Sequence, residues 1–509
     1  MPSDAVYTGG RFHNAGSYSA ERAGTLGRRI GMGHISYNLA LIAALFFLNK
    51  LGAPGNLLFF TILIWMMLKS SEWALRAVSL MFLVIVGNTA LVNTTIVFSL
   101  GKFAFLLMCS IRLYYSAQLR RISLLSHPVV LPLLMFVIVS MLLALEGGYR
   151  TDISALKLFT YTTGMMVVLA GAVVMRGRSH SLDNWFLSMA LFVVLVGLLS
   201  YAAGIGFNAK TEEAIASGLF NGPFYHPQTL GPGAAMMTLY LLCYTSLTSL
   251  PYRKLALFLI PTLLFFIYLS SSRTSILAIA MAILVAVICL AFMQRSALKK
   301  MMRIIRLGAV FAVFGGIALL TIELVAPGTV VDRVVAFTVK NNRVGEVSAD
   351  AVLSSRASLL EMMWGNIAEQ PWTGIGFGTT TRAGFAEYAT IFNATTEKGV
   401  LPIAVVEETG YIGAIFFTLL VVSLIAYCLR TRNIPGLIAF AGLLGLNMAE
   451  ANFFSFGGHG GFFWIWVMAA LILNDATETS AHTVRASDTP PERPARSAVQ
   501  PVHNRKDAS

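Results

Sequence analysis

Residues 254–293 read KLALFLIPTLLFFIYLSSSRTSILAIAMAILVAVICLAFM, and this stretch decides the fold. Two apolar runs, 254–270 and 274–293, flank a short hydrophilic hinge containing Ser271, Ser272 and Arg273. About 20 predominantly apolar residues are enough to cross the hydrocarbon core of a bilayer. The pair therefore predicts two consecutive membrane spans that turn back on each other at the hinge. Outward from it, similar runs recur near 33–49, 54–68, 75–92, 95–115, 128–145, 157–175, 185–205, 228–248, 307–325, 405–428, 434–450 and 459–474. The expectation is an all-α, polytopic transmembrane bundle of about 12–14 spans. Composition agrees: 56% of the 509 residues are hydrophobic and 12% are charged. Soluble domains are about a quarter charged, and disordered chains are poor in apolar residues, so both classes are excluded.

The charge balance of 37 Lys+Arg against 24 Asp+Glu, net +13, resolves along the chain. One alternating set of connections holds Lys69, Arg76, Arg112, Arg120, Arg121, Arg176, Arg178, Arg253 and Lys254. It continues through Arg295, Lys299, Lys300, Arg303, Arg306, Arg430 and Arg432. The opposite short loops hold little beyond Lys50, Arg150, Lys210 and Arg273. The positive-inside rule makes the first set cytoplasmic and places both termini there. Basicity of this kind answers to anionic lipid, and no nucleic-acid partner is expected. Cys109, Cys243, Cys289 and Cys428 lie inside apolar runs, so neither a disulfide framework nor a metal centre is expected. The first thirty residues are polar and Gly-rich and do not read as a cleavable signal.

The organisation that follows is a cytoplasmic N-terminal tail (1–32), transmembrane helices (33–325), an outer loop (326–404), C-terminal transmembrane helices (405–474) and a disordered, Pro-rich cytoplasmic tail (475–509). Within the long loop, Leu359, Leu360, Met363, Trp364 and Ile367 recur at helical spacing. They predict an amphipathic helix on the membrane's outer surface, ended at Pro371 and followed by the turn-rich Gly374-Ile375-Gly376-Phe377-Gly378.

Residues with chemical potential gather at outer helix ends: His226, Arg273, Arg356, Arg382, Lys398, Glu407, Glu408, Glu450 and His459. Ser-Ser-Arg occurs twice, ending at Arg273 and at Arg356. A guanidinium fork suits phosphate oxygens, and two such groups in one compartment suit a diphosphate. The alternative is structural, with Arg273 paired to an acid such as Glu450 and Arg356 flanking a surface helix. Glu407-Glu408 at the start of a span is read either as a general base or as acids favouring a helix N-terminus. His226, in Phe224-Tyr225-His226-Pro227-Gln228, is a base, a sugar-binding group or simply structural. The glycine pattern at 374–378 lacks the strand-to-helix context of a dinucleotide site, and no phosphate-loop lysine motif is present.

Taken in order, these motifs resemble the O-antigen ligase and polymerase superfamily of bacterial inner membranes. The resemblance rests on His226-Pro227-Gln228, Ser271-Ser272-Arg273-Thr274-Ser275, and Arg356-x-x-Leu359 with Trp364. It continues through Pro371-Trp372-Thr373-Gly374-Ile375-Gly376-Phe377-Gly378-Thr379 and Glu407-Glu408-Thr409-Gly410-Tyr411-Ile412-Gly413, covering roughly 225–425. It implies one large periplasmic loop, a polyprenyl-diphosphate-linked oligosaccharide donor, and glycosyl transfer without a cofactor or metal. It further implies Arg273 and Arg356 on the diphosphate; with these in place, Glu407 or Glu408 is expected as base with His226 as the next choice, and Gln228, Arg382 and Lys398 are the candidate substrate contacts. Membrane lipid, a chain-length regulator and a flippase are the implied partners. Ligases of the family carry a His-Asn pair before the Glu-containing helix, whereas this chain reads Thr396-Glu397-Lys398-Gly399-Val400-Leu401-Pro402. That departure favours polymerisation into O-antigen or exopolysaccharide over ligation to lipid A core or protein. A lipid-linked sugar transporter is the rival from another class.

Overall fold

The computed structural model describes residues 19–176, 180–207, 219–247, 252–293, 349–379, 399–448 and 451–473, together with 299, 302 and 306. Fourteen helices are described. They are α1 (Ser19–Leu48), α2 (Ala53–Lys69), α3 (Ser71–Ile85), α4 (Ile96–Leu119), α5 (Val130–Gly147), α6 (Thr151–Met175) and α7 (His180–Ala202). After them come α8 (Pro227–Leu247), α9 (Arg253–Leu269), α10 (Arg273–Met293), α11 (Ala349–Glu369), α12 (Leu401–Arg430), α13 (Ile434–Asn447) and α14 (His459–Ile472). Among the described residues there are no strands, only the isolated bridges Gly87–Phe224 and Phe207–Phe220. Eight helices are long and apolar enough to cross a membrane. The protein is an all-α, multi-pass membrane protein. The expected span at 307–325 and the tail at 475–509 lie outside the described residues.

Burial separates the helices. In α8, 94% of the candidate span is covered by protein, against 28% in α10 and 22% in α12. The least hydropathic span is thus the central one, because protein rather than lipid surrounds it and Gly231, Pro232 and Gly233 permit close neighbours. The most hydropathic, α10, presents Ile276, Leu284 and Phe292 to the surroundings. Without a hydrophobic force between helices in lipid, close packing holds such a bundle. Its interior is aromatic: Phe136, Tyr161, Phe377 and Phe454 form one cluster, and Phe453, Phe456 and Trp464 extend it.

Consecutive helices run up and down, so connections collect at two ends. At one end Arg76 contacts Glu72 and Ser181, Arg120 donates to the Val174 carbonyl, and Arg176 donates to the Thr431 carbonyl at 3.0 Å. Basic side chains there close the exposed carbonyls of neighbouring helix ends. At the other end the Asn88 N–H donates to the Pro223 carbonyl at 2.8 Å, and the Tyr225 N–H donates to Val86 at 3.0 Å. There too the Tyr149 N–H donates to Ile375 at 2.9 Å. Among the described residues the buried charges are Arg76 and Asp183, each within the first two turns of α3 and α7, and the pair Glu407 and Glu408 in α12; Lys102, near the start of α4, is half-buried.

Candidate functional site

The site is built around a break in a helix. Gly410, in α12, has φ 61° and ψ −176°, so the helix stops and restarts there. In an unbroken helix the Tyr411 N–H would donate to the Glu407 carbonyl. Here it donates to the Pro371 carbonyl at 2.8 Å. The carbonyls released by the break are taken up by the loop: the Ile375 N–H donates to Glu407 at 2.9 Å and the Gly376 N–H to Glu408 at 3.1 Å. Residues 371–379 therefore supply the backbone bonds that α12 has lost, as low-dielectric surroundings demand. Only glycines permit the approach. A methyl on Gly410 would lie 2.1 Å from the Trp372 carbonyl oxygen, and one on Gly374 would lie 2.5 Å from the Glu408 carbonyl carbon.

Both acids join this fastening. Asn366, on α11, donates from Nδ2 to Glu407 Oε1 at 2.7 Å, and the Gly378 N–H donates to Glu408 Oε2 at 2.7 Å. Glu407 is fully buried and Glu408 is 5% exposed. Neither lies in a first turn: α12 begins at Leu401, so both precede the break rather than begin the helix. Lys157 of α6 donates to the Gly378 carbonyl at 2.6 Å, bringing a cation to the same strip. Beside it, burial raises the Tyr149 phenol pKa, and the Glu369 and Glu407 carboxylates push it the same way.

From the strip, contacts lead across the same end of the bundle. Phe377 stacks edge-on against Phe454, at 4.9 Å between ring centroids, in the connection between α13 and α14. Lys102 donates to the Gly457 carbonyl of that connection at 2.7 Å. Just beyond, His459 Nδ1 pairs with the Tyr225 hydroxyl. His226 follows, half-buried, with Nδ1 accepting from the Gln228 N–H at 3.1 Å. In the neutral ring this bond assigns the proton to Nε2. Gln228 is half-buried in the first turn of α8. That turn leads to Gly231, whose Cα sits so close to the Ser270–Ser275 hinge that a methyl there would meet Ser272 Cβ at 2.1 Å.

The hinge itself leads directly into α10. Ser271 takes the left-handed conformation (φ 52°), and Ser272 Oγ and Ser275 Oγ are hydrogen-bonded at 2.6 Å. These hydroxyls serve the turn and each other. Arg273 is the first residue of α10 and is half-buried. A cation at a helix N-terminus opposes the macrodipole, while an anion bound there satisfies both the arginine and the end of the helix.

The structure thus brings His226, Gln228, Arg273, Glu407, Glu408 and His459 to one end of the bundle. Arg356 lies on α11, whose backbone is described there while its side chain is not. Arg382, Lys398 and Glu450 lie outside the described residues. On α11 the buried face is carried by Met363 and Ile367, while Trp364 is 54% exposed, at the edge of the apolar arc that the spacing predicted. Sequence reasoning missed Asn366, Lys157, Tyr225 and the backbone donors of the strip. Gly410, together with the alternate glycines at 374–378, was the signal for a close backbone approach.

Residues 256–418 match the family model described as O-Antigen ligase, and the resemblance to the O-antigen ligase and polymerase superfamily is shown for this segment. The match begins in α9 and ends in α12 just beyond the break, so it contains Arg273, Arg356, Asn366, the strip and both acids. His226 and Gln228 lie upstream of it. No curated protein matches the chain.

Proposed function

We propose that this protein polymerises polyprenyl-diphosphate-linked oligosaccharide repeat units at the outer face of a bacterial inner membrane, with both of its termini in the cytoplasm. The observation that carries this reading is Arg273 at the N-terminus of α10, at the end of the bundle where the matched loop is fastened to α12.

In the proposed step a hydroxyl of the acceptor sugar attacks the anomeric carbon of the donor. The bond from that carbon to the diphosphate oxygen breaks as the new glycosidic bond forms, with inversion. Arg273 and Arg356 neutralise the charge that develops on the departing polyprenyl diphosphate, a preorganised electrostatic role. His226, with its proton on Nε2, donates to a sugar or phosphate oxygen beside them. The hydroxyl proton passes to Glu408, which keeps some solvent contact where Glu407 has none. Gln228, Arg382 and Lys398 complete the substrate contacts in this reading, and the chemistry calls on no metal or cofactor.

Polymerase is favoured over ligase by Thr396-Glu397-Lys398 standing where ligases carry His-Asn. Purified protein given lipid-linked repeat units is expected to yield a ladder of longer glycans. A single addition onto a lipid or protein acceptor would replace polymerase by ligase, and no glycan product at all would overturn the enzyme reading.

A further inference from the structure

The bond from Asn366 Nδ2 to Glu407 Oε1, at 2.7 Å, joins two elements with different tasks. Asn366 lies near the C-terminal end of α11, and Glu407 lies just before the break in α12. Around this contact, α11 is held by Met363 and Ile367, which are 0% and 4% exposed. It is continued by the strip whose N–H groups complete α12. Arg356 sits ten residues upstream on the same helix, about 15 Å away at 1.5 Å per residue. From that geometry, a tilt of about 5° at the Asn366 anchor moves the Arg356 backbone by about 1.3 Å. Misplacement of that order is enough to cost a positioned catalytic group about a hundredfold in rate.

We propose that Asn366 is a positioning residue: through Glu407 it fixes the tilt of α11 against α12 and thereby sets where Arg356 meets the donor diphosphate. Glu407 accordingly acts as an anchor. The pairing also explains why an acid fully out of solvent is tolerated, since a buried carboxylate with a hydrogen-bond donor costs far less than one without. An amide suits the anchor because it donates without neutralising the carboxylate, whereas an aspartate at 366 would set two carboxylates against each other. This inference rests on the diphosphate role of Arg356, and the test separates the two.

The test compares full-length wild-type protein with Asn366→Asp, Asn366→Asp/Glu407→Gln, Arg356→Lys and Arg356→Lys/Asn366→Asp. All are purified in lipid nanodiscs and supplied with lipid-linked repeat units, with initial rates followed against donor concentration. Asn366→Asp is expected to lower kcat/KM for the donor about a hundredfold. The double variant Asn366→Asp/Glu407→Gln restores an amide donor and a carboxylate acceptor in reversed order, and is expected to return within about threefold of wild type. In the Arg356→Lys background, Asn366→Asp is expected to add less than about threefold, because the arginine it positions is already altered.

Full activity of Asn366→Asp would overturn the positioning role, as would a loss that multiplies with that of Arg356→Lys. If Asn366→Asp does not fold, the reversed pair decides: wild-type kinetics support the contact, and an inactive but well-folded double variant overturns it. Unaltered kinetics in Arg356→Lys would instead count against the diphosphate reading. That outcome is distinct from failure of the anchor, which leaves Arg356→Lys impaired and Asn366→Asp independent of it.

Discussion

Arg273 is the residue that composition, topology and structure single out together. Its charge lies on the side that the positive-inside rule leaves nearly empty, and it starts a helix whose dipole disfavours it. In the proposed function the donor diphosphate is the anion that relieves both costs. Replacement by Ala is expected to lower polymer formation about a hundredfold or more at equal expression, the scale of losing one transition-state donor. Lysine, retaining the charge without the planar fork, is expected to fall between Ala and wild type. Glycan ladders from the three proteins at matched membrane levels provide the measurement, and undiminished polymer in the Ala variant would remove Arg273 from the site. Arg273 was legible in the sequence because an arginine outside the basic set of connections is conspicuous. Asn366 was not, because a neutral amide in a polar loop carries no signal until its acceptor is known.

At the scale of elements, hydropathy located the helices well and the break poorly. The run expected at 405–428 is the core of α12, which reaches from Leu401 to Arg430. At 75–92, by contrast, the helix is Ser71–Ile85: it starts earlier, capped by Ser70 Oγ accepting from the Trp73 N–H at 3.2 Å. Apolar windows miss this first turn because Glu72 stands in it, paired with Arg76 one turn further on. The break at Gly410 leaves no mark of its own in hydropathy, since a glycine is nearly neutral on that scale and the apolar run resumes just after it, and the lost backbone bonds are restored from a segment over thirty residues upstream. Broken helices also mark transporters. In this chain, however, the carbonyls of Glu407 and Glu408 already accept from the strip. Gly410→Ala is expected to be worse than an ordinary surface change, because its Cβ would lie 2.1 Å from the Trp372 carbonyl oxygen and its φ is positive. A lowered detergent melting temperature and faster proteolysis near 371–379 are the expected readouts. Unchanged values would mean that the strip and the helix can separate without cost.

At the scale of the whole molecule, the two ends of the bundle perform different tasks with the same residue types. At the end holding Arg76, Arg120 and Arg176, arginines close helix termini against neighbouring elements. At the other end the cations Lys102, Lys157 and Arg273 stand among the fastened loop, the helix break and the histidines. The proposed chemistry requires this second end to face away from the cytoplasm, and the basic excess of the first end predicts that the first end is the internal one. Leu125 and Ile205 lie at opposite ends and are 62% and 49% exposed, so a single cysteine at either is open to an impermeant maleimide. The native thiols Cys109, Cys243 and Cys428 are buried and Cys289 is half-buried, leaving little background. In spheroplasts Ile205→Cys is expected to label directly, and Leu125→Cys only after the membrane is opened. The reverse pattern would turn Arg273 and the helix break toward the cytoplasm. The arginine would then need no explanation beyond the charge bias of its own side, and the case for a diphosphate-binding role would lose its first premise.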